Sequence, residues 1–139
     1  DVLGSRGLGD VYKRQIYERA REILKKFALG DYENVHPSTL SGGQKQRLSI
    51  ALSCMSDVPF LYFDEPTSGL DADNMNLVRE TIIEQAATGK IAFVITHDYE
   101  FAASLFTSLL IVQDDHSIKR ISPDKYTPEM LSKIFELEE

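Results

Sequence analysis

The sequence has no tryptophan, a single cysteine and no long apolar run. One thiol, Cys54, cannot form an internal disulfide or supply a metal site built from several thiolates. No apolar stretch approaches the ~18 residues that a membrane-spanning helix requires. Positive charge is also scarce, since 15 Lys and Arg residues face 22 Asp and Glu residues and leave a net charge of −7. This acidic balance argues against a nucleic-acid partner, whose binding surface normally carries a basic stripe.

A phosphate-binding loop with its lysine is also missing. Gly4 and Gly9 have the spacing of G-x-x-x-x-G, but Asp10 and Val11 follow them. A working loop would have Lys there to neutralise phosphate, and then Ser or Thr to ligate Mg²⁺. The residues before Gly4 are also too few for the strand that such a loop follows. Because residues 1–15 fit no periodic pattern, we expect them to be a disordered or non-native leader.

From residue 16 onward, the chain alternates between helical and strand patterns. Apolar residues recur at helical spacing from Ile16 to Ala28, and Gly30 is expected to end this helix. Strands buried on both faces are indicated by two almost wholly apolar runs, FLYFD at 60–64 and IAFVIT at 91–96. Further helices are expected at 43–56, 74–87, 99–106 and from Thr127, with a hairpin formed by strands at 108–113 and 117–121. This alternation predicts an α/β domain with a mostly parallel sheet and flanking helices.

Two of the expected strands end in residues that can do chemistry. Ligands of parallel sheets bind beyond the carboxyl ends of the strands, and Asp64, Glu65 and His97 follow FLYFD and IAFVIT there. An Asp at such a strand tip could anchor Mg²⁺, and the neighbouring Glu could polarise a water for attack on a phosphoryl group. The alternatives also stand: the acids could cap the next turn, and the histidine could be an ordinary surface or core residue.

The segment LSGGQKQR at 40–47 is a third candidate. Ser41 is suited to cap a helix, while Gly42 and Gly43 would let a ligand approach bare backbone N–H groups. A helix N-terminus of this kind suits a phosphate oxygen. An ordinary serine-capped helix is the other interpretation, and no lysine accompanies the segment.

LSGGQKQR, FLYFDE, PTSGLD and ITHD occur in this order within residues 40–98. The ordered set resembles the second half of an ABC-type ATPase domain. The resemblance covers residues 16–139 and implies a partial P-loop NTPase fold with a C-terminal hairpin and helix, whose first half is missing. It also implies that ATP and Mg²⁺ are the cofactors.

By the same resemblance, each motif residue has an expected role. Asp64 is the Walker B aspartate that holds Mg²⁺, Glu65 is the catalytic base, and His97 is the switch histidine that contacts the γ-phosphate. The D-loop at the dimer interface ends in Asp71. The ABC signature, which binds nucleotide, comprises Leu40, Ser41, Gly42, Gly43 and Gln44.

The resemblance also implies partners. In the family, two ATPase domains pair head to tail, and the signature of one contacts ATP held by the phosphate loop of the other. This arrangement explains why LSGGQ has no lysine. A transmembrane transporter subunit is the other expected partner, so the location is cytoplasmic and peripheral to the membrane. The chain alone should have little ATPase activity, and it should aggregate because half a parallel sheet leaves an apolar edge exposed.

Two further interpretations stay open at this point. One is a non-transport ABC ATPase, in translation or DNA repair, although the acidic charge disfavours the forms that bind nucleic acid. The other is a non-catalytic module that lends LSGGQ to a complete ATPase. Among transporters, PTSGLD followed by DNM, together with ITHDYEF, is similar to the ATPase subunits of energy-coupling-factor importers, which take up vitamins or transition-metal ions.

Overall fold

The computed structural model describes residues 2–113 and 115–122, together with residues 125, 127 and 133. Helices alternate with strands along this part of the chain, which confirms the predicted α/β class. In chain order the elements are α1 (Val2–Lys26), two 3₁₀ turns (Gly30–Tyr32 and Pro37–Thr39), α2 (Gly42–Met55), β1 (Phe60–Asp64), α3 (Ala72–Ala87), β2 (Ile91–Ile95), α4 (Tyr99–Leu105), β3 (Leu109–Val112) and β4 (Ile118–Ile121).

The strands β1 and β2 form a parallel pair. Their register places Phe60 opposite Ile91 and Asp64 opposite Ile95. The pairing continues one residue further, because the Glu65 N–H donates to the Ile95 carbonyl at 2.8 Å. Both carboxyl ends therefore meet at one edge, and the residues that follow them are brought together.

One hydrophobic core lies on a single face of this strand pair. Leu61 and Phe63 of β1 point into it, and helices α2 and α3 cover them. Burying side chains of this size contributes roughly 1.5–3 kcal/mol each. The buried cluster consists of Phe27, Leu29, Ile50, Ala51, Cys54, Leu61, Phe63, Val78, Ile82 and Phe101. Cys54 is thus buried, and this burial raises the pKa of its thiol.

The opposite face of the β1–β2 pair is open to solvent, so the prediction of strands buried on both faces was wrong. Exposed fractions are 49 % for Phe60 and 72 % for Tyr62 on β1, and 52 % for Ile91 and 64 % for Ile95 on β2. The Tyr62 ring stacks on Phe93 with 5.0 Å between ring centroids. The apolar composition of a strand cannot reveal a missing layer, since burial needs a second element to cover the strand. We call these five side chains the open sheet face.

Helix α1 differs from its prediction at both ends. It begins at Val2 rather than near Ile16, so residues 2–15 are helical. At the other end it stops at Lys26, and Ala28 rather than Gly30 takes the left-handed conformation with φ of 52°. Gly30 instead opens the first 3₁₀ turn. The long helix has an exposed stretch from residue 9 to residue 19, which explains why apolar periodicity fails to mark its beginning.

The predicted C-terminal hairpin is present, with β3 and β4 antiparallel and Leu109 opposite Ile121. Asp114 in its turn lies outside the described residues, as does most of the helix expected from Thr127. Within the part of the chain that the structure describes, no helix combines the length and the apolar character needed to cross a bilayer.

Candidate functional site

The N-terminus of α2 is built from the serine–glycine segment. Ser41 is the N-cap, as predicted: its hydroxyl accepts from the Gln44 N–H at 3.3 Å. The Gln44 side chain returns the interaction by accepting from the Ser41 N–H at 2.8 Å, which completes a capping box. Gly42 and Gly43 then begin the helix, and the first N–H groups of any helix have no partner within it. This N-terminus can therefore donate to an anionic oxygen.

This N-terminus packs on the loop between β1 and α3. A Cβ atom on Gly43 would lie 3.6 Å from the Gly69 carbonyl and 3.7 Å from Leu70 Cδ2, so the space between the two segments is about one side-chain carbon wide. Gly69 takes a φ of 71°, which a glycine adopts without steric cost. Leu40, just before the cap, is buried at 7 % exposure. The burial of Leu40 also anchors the start of the serine–glycine segment.

Asp71 ends that loop and caps α3. Its Oδ1 accepts from the Asn74 N–H at 2.9 Å and from the Asn74 side-chain amide at 2.8 Å. Because the hydrogen bond from the Asn74 backbone, and then that from its side chain, favour the ionised form, the pKa of the Asp71 carboxyl lies below its usual value. Asp71 is exposed, so its carboxylate is fixed in direction while its other oxygen faces solvent.

The carboxyl edge of β1 and β2 brings Glu65 and His97 into contact. Glu65 Oε1 accepts from the His97 backbone N–H at 2.9 Å and lies 2.9 Å from His97 Nδ1. Thr96 Oγ1 donates to Glu65 Oε2 at 3.4 Å. The His97 side chain is 77 % exposed and that of Glu65 is 32 % exposed. A carboxylate held on one side and open on the other is placed to accept a proton from a water molecule.

The backbone of Glu65 is strained. Its φ is 45°, a left-handed value that is uncommon outside glycine and that costs about 1–3 kcal/mol. Strain of this size persists only where surrounding contacts enforce it, and it is typical of functional sites. Here it turns the chain sharply after β1, so that Glu65 points toward His97 while Asp64 stays at the strand tip.

Asp64 is exposed at the end of β1. Across the described residues, no three His, Cys, Asp or Glu side chains converge in a way that would hold a metal. Mg²⁺ is commonly bound through one or two carboxylates, with water completing its shell. The single exposed carboxylate therefore fits Mg²⁺ better than a metal that needs a full cage of protein ligands.

Comparison with known proteins identifies this arrangement. Residues 6–68 match the profile of the family described as ABC transporter. The L-cystine import ATP-binding protein TcyN of Bacillus subtilis is 35 % identical over 113 residues, which make up 81 % of this chain and 44 % of that protein. Over these residues the chain is similar to the ABC transporter family and to an import ATP-binding protein.

A second curated protein is similar to this chain in sequence, and a solved structure is similar to it in fold. The glutamate/aspartate import ATP-binding protein GltL of Escherichia coli is 37 % identical over 106 residues, covering 76 % of this chain and 44 % of that protein. A solved structure described as the ATP binding subunit of an ABC transporter superposes with a TM-score of 0.78 at 22 % identity, over 88 % of this chain and 55 % of that one. The matched part of this chain therefore covers less than half the length of TcyN and of GltL.

Within this chain, the predicted residues fall into two groups. Glu65 and His97 are in direct contact, with Asp64 beside them in sequence. Ser41 and Asp71 are the caps of α2 and α3, and they lie on the two sides of the contact between Gly43 and the loop. No hydrogen bond or ion pair among the described residues joins one group directly to the other through these predicted side chains.

Three residues that hold these groups in place were missed from the sequence, and one of them, Gln46, connects the two groups. Gln46 Nε2 donates to the Glu65 carbonyl at 3.0 Å, and Arg47 Nη1 donates to Asn74 Oδ1 at 3.1 Å. Thr96 holds the second oxygen of the Glu65 carboxylate. The sequence did contain a pattern that could have indicated Gln46. Helical spacing places it on the same face as Ile50 and Cys54. A polar side chain on a buried face needs a hydrogen-bonding partner.

Proposed function

We propose that this chain is part of the ATP-hydrolysing subunit of an ABC transporter, with Glu65 as the general base. The observation that carries the proposal is the contact between the Glu65 carboxylate and His97 at the shared carboxyl edge of β1 and β2. That edge is where ligands of parallel sheets bind. The relatives named as import ATP-binding proteins support the same activity.

In this proposal each residue at the carboxyl edge of β1 and β2 has a different role. Glu65 accepts a proton from the attacking water. The imidazolium form of His97 donates to Glu65 through Nδ1 and to the terminal phosphate through Nε2, the ring nitrogen that faces away from Glu65. Asp64 would hold Mg²⁺, which supplies positive charge to neutralise the phosphate oxygens when bound. Thr96 restrains the second Glu65 oxygen and so limits rotation of the carboxylate.

The N-terminus of α2 would bind a different nucleotide from the one at the carboxyl edge of β1 and β2. Ser41, Gly42 and Gly43 offer backbone donors and a helix dipole but no fixed positive charge, so they suit a phosphate already bound elsewhere. We propose that a second ABC ATPase domain holds that ATP in a head-to-tail dimer, and that Asp71 lies at its interface. The phosphate loop for the edge of β1 and β2 would come from the first half of the domain. The 139 residues by themselves are then expected to lack appreciable ATPase activity.

The membrane partner is also proposed. A transmembrane transporter subunit would place this domain at the cytoplasmic face of the membrane. PTSGLD followed by DNM, together with ITHDYEF, favours an energy-coupling-factor importer, whereas TcyN and GltL are named for the import of amino acids. Affinity purification of the protein expressed from its complete gene should recover an integral membrane subunit. Recovery of ribosomal or DNA-repair components instead would favour a non-transport ATPase.

The role of Glu65 is tested by ATP turnover of the protein expressed from its complete gene. Glu65→Gln keeps the shape of the side chain but cannot accept the proton, and it should lower kcat by about 10²-fold or more. The matched control is Glu80→Gln on the exposed side of α3, which should leave turnover unchanged. Equal turnover in wild type and Glu65→Gln would remove Glu65 from this role.

A further inference from the structure

The side chain of Gln46 connects α2 directly to the backbone of Glu65. Gln46 is half-buried on the helix face that carries Ile50 and Cys54. Its Nε2 donates to the Glu65 carbonyl oxygen at 3.0 Å across 19 residues of sequence. The segment with the serine–glycine N-terminus and the proposed general base are therefore joined by one side chain.

The backbone around Glu65 requires such support. A φ of 45° is unfavourable for glutamate, and three hydrogen bonds hold it. The Glu65 N–H donates to the Ile95 carbonyl at 2.8 Å, while the Glu65 carbonyl accepts from Ser68 N–H at 3.1 Å and from Gln46. Only the bond from Gln46 comes from a side chain, so it is the one that a substitution can remove without altering the backbone.

Arg47, the next residue on α2, holds the other end of the same loop. It donates to Asn74 Oδ1 at 3.1 Å, and Asn74 in turn donates to the Asp71 cap. Gly43, one turn earlier, rests against Gly69 in the middle of the loop. Helix α2 is therefore hydrogen-bonded to the first residue of the loop after β1 and to the first turn of α3, which follows that loop.

We propose that Gln46 is a positioning residue for Glu65. Its hydrogen bond fixes the peptide plane of Glu65, and this plane sets the direction in which the carboxylate points toward His97. The inference rests on the proposed function of Glu65 as general base. A base must lie within hydrogen-bond reach of the proton it takes, and a displacement of about 1 Å can cost up to ~10²-fold in rate.

The first measurement needs no ATP. The His97 backbone N–H donates to the Glu65 carboxylate, so its hydrogen exchange reports where that carboxylate sits. Gln46→Met keeps the length of the side chain but removes the donor, and it should speed exchange of the His97 amide at least several-fold in the nucleotide-free protein. Gln46→Lys restores a donor and should return exchange toward wild type. Ser49→Ala, an exposed position on the same helix, is the matched control and should leave exchange unchanged.

The second measurement is steady-state ATP turnover of the same variants, expressed from the complete gene. Gln46→Met should lower kcat about 10-fold or more and leave KM within about twofold, because the base is displaced while nucleotide contacts remain. Gln46→Lys should recover most of the loss. A lowered melting temperature with unchanged kcat would show a purely structural role and overturn the proposal.

The two measurements separate the possible failures. Unchanged His97 exchange in Gln46→Met overturns the positioning role whatever the ATPase result. Absence of ATP turnover in the wild-type protein overturns the proposed function, and His97 exchange then decides alone whether Gln46 positions Glu65. Faster exchange with rescue by lysine supports the positioning role in either case.

Discussion

Asp71 illustrates how a single residue can set a helix boundary through its charge. Its carboxylate binds two donors of Asn74, and these hydrogen bonds keep its pKa below the ordinary value. A carboxyl whose pKa is lowered by folding stabilises the folded state above its unfolded pKa, and this contribution is lost as the pH falls through the folded pKa. The cap is therefore a pH-dependent element of stability in the acidic range.

Asp71→Ala should lower the melting temperature at pH 7, because α3 loses its N-cap. The difference from wild type should shrink as the pH falls below about 4, the ordinary pKa of aspartate, since the native carboxylate then becomes protonated. Circular dichroism melts between pH 7 and pH 3 measure this. Asp71→Asn keeps a capping oxygen without a charge, so it should lack that pH dependence. A penalty for Asp71→Ala that is constant across the range would contradict the assignment.

The end of α1 shows how an element can be terminated without the expected glycine. The Leu29 N–H donates to the Leu24 carbonyl at 2.7 Å and the Ala28 N–H donates to the Lys25 carbonyl at 3.0 Å. These two bonds form a Schellman motif, in which glycine usually takes the left-handed position. Here Ala28 occupies it at a φ of 52°. Leu24 and Leu29 pack at the core and supply the apolar contact that accompanies the motif.

Ala28→Gly should raise the free energy of unfolding by about 0.5–1 kcal/mol, because relief of the left-handed strain exceeds the added flexibility of the unfolded chain. Ala86→Gly is the matched control: Ala86 is exposed inside α3, and glycine there should lower stability by about 1 kcal/mol. Urea titration of both variants measures the two shifts. If both substitutions lowered the free energy of unfolding, the left-handed conformation of Ala28 would not be strained in a way that glycine relieves.

At the scale of the whole molecule, the main feature is the exposed apolar surface of the open sheet face. Phe60, Tyr62, Ile91 and Ile95 keep about half or more of their surfaces in water, and they lie side by side on one parallel pair. Contiguous apolar surface of this kind is rare on proteins that remain monomeric. The match covers less than half the length of TcyN and of GltL, so this face is a candidate contact for further sequence.

The isolated chain should therefore self-associate through this face. Sedimentation velocity should show a weight-average mass that rises with concentration, and Tyr62→Lys combined with Ile91→Lys should reduce that rise by placing like charges on the face. Leu52→Lys is the control, since Leu52 is 61 % exposed but lies on α2, and it should leave association unchanged. A monomer at all concentrations, or an equal effect of the control, would contradict this prediction.

The sequence by itself determined the local features of this protein. Ser41 followed by glycines predicts a helix start, and β1 and the order of elements follow from apolar periodicity, because caps and patterns depend on neighbours a few residues apart. Tertiary structure alone decided the contact of Gln46 with Glu65 and the openness of one sheet face. Each of these depends on which distant segment packs against the residue. That information is absent from any short stretch of the chain.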